Sequence, residues 1–212
     1  SLSYAYDSLY GAYLKSHYPL EYYTVALNYY NGDSDRTLKL TNELSNFGIQ
    51  LKPIKFRFSK SNYAPSRDDN SIYKGIESIK NMNAKVADEI YTLKDNKYDT
   101  FIDLLEDICS KTGTKKNQIR ILIELDFFAE FGDANLLMAQ YDFFDKFNDR
   151  SQFKKDELKE LGIPLDLIRK YAGKETEKMF TNVDFESFVR IAINYLTAHP
   201  RKLSEQIKAQ TE

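Results

Sequence analysis

Apolar residues recur at three- and four-residue intervals along most of this chain, so most of it is expected to be helical. Tyr6, Leu9, Tyr10, Tyr13 and Leu14 mark one buried face of a first helix. Pro19 ends that helix near His17, because the residue before proline avoids helical angles. The same proline suits the first turn of a second helix, which carries Tyr22, Tyr23, Val25, Ala26 and Tyr29. Residues 31–35 read as a loop in which Ser34 or Asp35 caps a third helix bearing Leu38, Leu40, Leu44 and Phe47, with Gly48 as its stop. The period then changes. Ile49, Leu51, Ile54, Phe56 and Phe58 alternate around Pro53, which predicts an extended segment and an edge strand. Residues 59–71 read as a polar loop, and Ile72 with Tyr73 as a short second strand.

From Gly75 the sequence runs GIESIKNMNAKVADEI. Its helical pattern breaks at Asn81-Met82-Asn83 and restarts at once with Ala84, which predicts two helices joined by a tight turn. Further helices are expected over 100–111, 117–125 and 134–147. The chain from Phe153 onward also reads as helical, with breaks at 162–164 and at His199-Pro200. The expected fold is therefore mainly α, a helical bundle with a helix–hairpin–helix motif and at most a small two-stranded β element. Three regions are expected: 1–32, 33–148 and a helical extension at 149–212.

Composition narrows the function classes. The 212 residues carry 30 Lys and Arg against 32 Asp and Glu, a formal charge of −2, which excludes a histone-like basic protein but permits a local basic patch. No run approaches the roughly 18 apolar residues of a membrane span, and no basic-then-apolar leader opens the sequence. The single cysteine, Cys109, cannot pair internally, which points to a reducing, cytoplasmic setting. It is expected as a buried structural thiol.

A helical hairpin has a specific chemistry. Its turn gathers consecutive backbone N–H groups, and the second helix adds its positive dipole end, so that a phosphate is bound without reference to base sequence. Such turns need residues that tolerate positive φ, and asparagine is the best after glycine. Lys80, Asn81, Met82, Asn83, Ala84 and Lys85 are the candidate phosphate contacts, with Lys115 and Lys116 as second contacts.

Four segments give these residues a family context. Tyr13-Leu14-Lys15-Ser16-His17-Tyr18-Pro19-Leu20-Glu21-Tyr22 resembles the Y-L-K-x-x-Y-P-x-E segment, followed by an aromatic residue, of bacterial C-family replicative polymerases. Phe47-Gly48-Ile49 with Leu51-Lys52-Pro53 is similar to that family's G-I-x-L-x-P step. Ile72 to Lys80 resembles the segment ending in I-K that leads into its hairpin. Leu122-Ile123-Glu124-Leu125-Asp126-Phe127-Phe128, with Phe131-Gly132, is similar to its L-I-x-x-G-A-F-D stretch. The family is that of the DNA polymerase III alpha subunit, and the resemblance covers about residues 4–141. It implies the end of the fingers region followed by the hairpin region, with duplex primer–template DNA as partner. The departures are the Asn81-Met82-Asn83 turn in place of glycines, Ile54-Lys55-Phe56 in place of D-I-N, and Asp126-Phe127 in place of Gly-Ala.

No catalytic residue is assigned. The family's catalytic aspartates, and the Mg they hold, belong to a palm domain outside this sequence, so no cofactor is expected here. Asp68-Asp69, Glu106-Asp107 and Asp142 with Asp145 are acidic clusters at ordinary surface spacing, and His17 and His199 have no partner at metal spacing; no metal site is assigned. Gln140, Asp142, Phe143 and Phe144 fall in a stretch similar to the pentapeptide by which bacterial proteins bind the sliding clamp, whereas Tyr141, Phe144 and Phe147 at helical spacing also suit an inward stripe, the favoured reading. The competing function is a helical module that binds replication proteins and no longer DNA.

Overall fold

The computed structural model describes residues 2–148 and 150–199; the expected break at His199-Pro200 lies partly outside them. Two compact units divide the chain. One takes the residues up to Lys97 together with Ile108–Ile119, the other Tyr98–Asp107 and the chain from Arg120 on.

The first unit opens with α1 (Leu2–His17) and α2 (Pro19–Tyr29), separated where Pro19 forces a new start. Asp33 caps α3 (Ser34–Leu44), its carboxylate accepting the Arg36 N–H at 3.1 Å, so the cap falls just before the expected Ser34 or Asp35. A single 3-10 turn, Ser45–Phe47, ends at Gly48 with φ 65°. There follow β1 (Gln50–Lys52), β2 (Ala64–Ser66) and β3 (Ser71–Tyr73), in the order β1-β3-β2. Strand β3 is central and buried, parallel to β1 and antiparallel to β2. Leu20, Tyr23 and Leu27 of α2, Leu44 of α3, and Ile49, Tyr63 and Ile72 form the core that seats this sheet on the helices.

The remaining helices are α4 (Ala84–Tyr91), α5 (Phe101–Lys111), α6 (Lys116–Glu124) and α7 (Ala134–Phe147). Beyond them lie β4 (Gln152–Lys154), α8 (Lys155–Glu160), α9 (Leu165–Arg169), β5 (Ala172–Glu175), β6 (Met179–Val183) and α10 (Phe185–Ala198). Strands β4 and β5 flank β6, both antiparallel to it. Rings knit the second unit: Phe147 lies 5.0 Å from Phe143 and 4.8 Å from Phe153, and Phe188 of α10 completes the group at 5.7 Å from Phe153.

Two three-stranded sheets correct the expected fold class, a mainly α bundle with at most a small two-stranded element. Of the missed strands β2 and β4 are three residues long, and three alternating residues carry no more periodicity than one helical turn. β4 in addition owes its pairing to a strand remote in sequence, Phe153 facing Phe180. A second correction concerns α1. Its Tyr6, Leu9, Tyr10 and Tyr13, expected to be buried, are exposed, Tyr6 and Leu9 at 73% and 69%. Cys109 is exposed as well, one step past the stripe of Phe101, Leu104, Leu105 and Ile108 that α5 buries. No helix among the described residues is long and apolar enough to cross a membrane.

Candidate nucleic-acid interface

Strand β3 delivers the chain to Gly75, which passes close to the backbone of the preceding loop. A Cβ there would lie 2.5 Å from the Ser61 carbonyl oxygen and the Asn62 carbonyl carbon. The close approach lets Ile76 and Glu77 donate their N–H groups to the carbonyls of Lys60 and Ser61 at 2.9 and 3.0 Å. The first arm of the hairpin is consequently one 3-10 turn, Ile76–Ser78, shorter than the expected helix. Ile79 adopts extended angles and stops it.

The turn itself is built as its residue types suggest. Asn81 takes the left-handed conformation at φ 71°, and the Met82 N–H closes on the Ile79 carbonyl at 3.1 Å. Asn83 is extended, and its side chain caps α4 by accepting the Val86 N–H at 3.0 Å. The amides of Asn83, Ala84 and Lys85 have no acceptor among the described residues. Val86, Ala87 and Ile90 bury the inner face of α4, which fixes its N-terminal turn. Lys80 and Lys85 are exposed beside it, Lys85 only loosely paired with Glu89 at 3.9 Å. Glu77 and Asp88 are exposed nearby and oppose the field of the lysines.

A second turn accompanies the first. Lys115 precedes α6, and Gln118 accepts its N–H at 2.9 Å, half of a capping box. The Nε2 of the same Gln118 donates to the Asn81 carbonyl at 2.9 Å. Glu89 of α4 accepts the Gly113 N–H at 2.7 Å. The structure thus gathers Lys80, Asn81, Met82, Asn83, Ala84 and Lys85 with the turn that carries Lys115 and Lys116. Gln118 and Glu89, which hold the two turns together, escaped the sequence reading. The spacing of Lys115 and Gln118 at a helix start signals the cap, but nothing local signals a bond to Asn81.

The other singled-out residues have structural partners. Gln140, Tyr141, Phe143 and Phe144 are buried on α7 with Phe147, while Asp142 binds Arg120. Asp69 is paired with Lys52 and Ser71, and Lys52 beside it holds its carboxyl well below the usual range. Asp107 accepts the Tyr98 hydroxyl at 2.8 Å. Burial pushes the Glu106 carboxyl up. Among the described residues no three His, Cys, Asp or Glu side chains converge as a metal site.

Residues 48–135, which hold both turns, match the helix-hairpin-helix motif family. Over 93% of its length the chain is 28% identical to the DNA polymerase III subunit alpha of Ureaplasma parvum serovar 3. It is 26% identical over 59% of its length to the subunit alpha from Buchnera aphidicola subsp. Acyrthosiphon pisum, and 25% identical over 98% to that from subsp. Schizaphis graminum. It spans 23%, 10% and 18% of these relatives respectively. The resemblance read from four short motifs thus extends along most of the chain, which is related to one segment of the bacterial DNA polymerase III alpha subunits and carries a helix-hairpin-helix motif.

Proposed function

We propose that this chain holds duplex primer–template DNA as part of a bacterial replicative DNA polymerase, in the cytoplasm, through phosphate contacts that ignore base sequence. The supporting observation is the start of α4, where the amides of Asn83, Ala84 and Lys85 lack acceptors and Lys80 and Lys85 stand exposed beside them. A phosphate oxygen satisfies those amides, the helix dipole favours its charge, and the lysines add attraction. Lys115 and Lys116 supply a second contact. Nucleotidyl transfer belongs to the parent polymerase, in a Mg-binding palm domain outside this sequence; the segment described here positions the duplex.

Anisotropy of a labelled primer–template duplex, titrated with the chain across a salt series, tests this reading. Binding that weakens with salt and is lost in the Lys80→Glu, Lys85→Glu variant supports it. A folded chain that leaves the duplex free at low salt refutes it. That second result favours the competing reading, a module for replication proteins, whose specific support is the exposed aromatic face of α1 (Tyr6, Tyr10 and Tyr13).

A further inference from the structure

The Gln118 side chain is 4% exposed, yet both ends of its amide are used, and on different turns. Capping α6 requires only its Oε1, which takes the Lys115 N–H. The bond from Nε2 to the Asn81 carbonyl adds nothing to the cap, and it lands on the one residue of the hairpin turn at positive φ. Glu89 supplies a second tie between the same parts of the chain, from α4 to Gly113. Two turns, each leading into a helix N-terminus, are therefore held at a set separation by one buried amide and one half-buried carboxylate.

Such a tie matters for a ligand with phosphates at fixed intervals. Two contacts reinforce each other fully only when their spacing is preset; otherwise the ordering of one turn against the other offsets the second contact. We propose that Gln118 is a positioning residue for DNA, locking the hairpin turn and the Lys115 turn into one clamp that grips two phosphates at once. The inference rests on the DNA-holding reading above. Gln118 touches no phosphate itself; it acts through the Asn81 carbonyl and the Lys115 amide. Without it the hairpin still binds, but the Lys115 turn no longer contributes.

The test measures the cost of Lys115→Ala in two backgrounds, native and Gln118→Met, using the whole chain, a labelled duplex and circular dichroism as the folding control. In the native background Lys115→Ala weakens binding several-fold. In the Gln118→Met background it changes affinity by less than about twofold, because a turn no longer held at the right spacing adds little to the grip. A purely structural role for Gln118 leaves the Lys115→Ala cost the same in both. If Gln118→Met fails to fold, Gln118→Glu takes its place as the background, since it keeps the acceptor for the Lys115 N–H and removes only the donor to the Asn81 carbonyl. Equal costs of Lys115→Ala in the native and tie-deficient backgrounds overturn the clamp and leave hairpin binding standing. A native chain that does not bind duplex at low salt overturns the DNA reading, and the clamp falls with it.

Discussion

Asn81 and Asp126 hold the left-handed conformation at φ 71° and 56°, where the resemblance to the polymerase family places glycines. For most L-residues this region costs about 1–2 kcal/mol, and less for Asn and Asp, whose short polar side chains bond locally. Asn81→Ala should therefore destabilise the chain by about 1 kcal/mol. Asn81→Gly should be close to neutral, since relief of strain is offset by the greater freedom of unfolded glycine. Urea denaturation of the two variants checks both, and an Asn81→Ala variant as stable as the native chain would show that the turn is not held at positive φ. Gly75 is a different case, needed for space and not for its angles. A methyl group there meets the backbone of Ser61 and Asn62, so Gly75→Ala should cost about 3 kcal/mol or more, at the upper end for an overpacked site. That asparagine would tolerate the hairpin turn was legible in the sequence. Why Gly75 must be glycine was not, because its neighbours come from a loop that carries no periodic pattern.

At the scale of elements, α2, α5, α6 and α7 were readable from apolar spacing to within a residue or two of their ends, whereas α3 stops at Leu44, three residues before the expected Phe47, where a 3-10 turn takes over. Of the two sheets only the stretches of β1 and β3 were read as extended, because β2 and β4 are three residues long and β4 owes its pairing to a strand remote in sequence. The face of α1 shows a deeper limit, since spacing alone shows that a stripe exists and not what covers it. With Leu9 exposed, Leu9→Ser should change stability by less than about 0.5 kcal/mol, whereas a buried leucine would cost several; thermal unfolding decides between them. What holds α1 to its neighbours includes Lys15, which donates to Glu43 of α3 at 2.5 Å, while Tyr23 of α2 donates to the same carboxylate at 2.7 Å. The hydrogen bond from Lys15, and after it that from Tyr23, lowers the Glu43 pKa from its ordinary value. A carboxylate with a depressed folded-state pKa stabilises the fold above its unfolded value near 4.5, and that contribution is lost as pH falls through the lower folded value. Urea midpoints of the native chain should thus approach those of Glu43→Gln as pH drops from about 6 to below 4. A gap between the two that stays constant with pH would remove Glu43 from the acid response.

For the whole molecule, charge is the governing quantity. With 30 basic and 32 acidic residues the chain has no long-range attraction for DNA, so any affinity must come from contacts made at short range by Lys80, Lys85, Lys115 and Lys116. Four lysines each neutralising one phosphate give a plot of log affinity against log salt with a slope of about −3 to −4. A slope near zero would mean that phosphates are not neutralised, and one much steeper would require basic residues outside the two turns. The same contacts carry no base information, so duplexes of different sequence should bind alike at each salt concentration. Glu77 and Asp88 beside the turn limit the gain, and charge-removing changes there should raise affinity without altering this indifference to sequence. That combination, tighter binding with unchanged sequence preference in Asp88→Asn, separates a phosphate clamp from a surface that reads bases, because only the latter would change its ranking of duplexes when a neighbouring charge is removed.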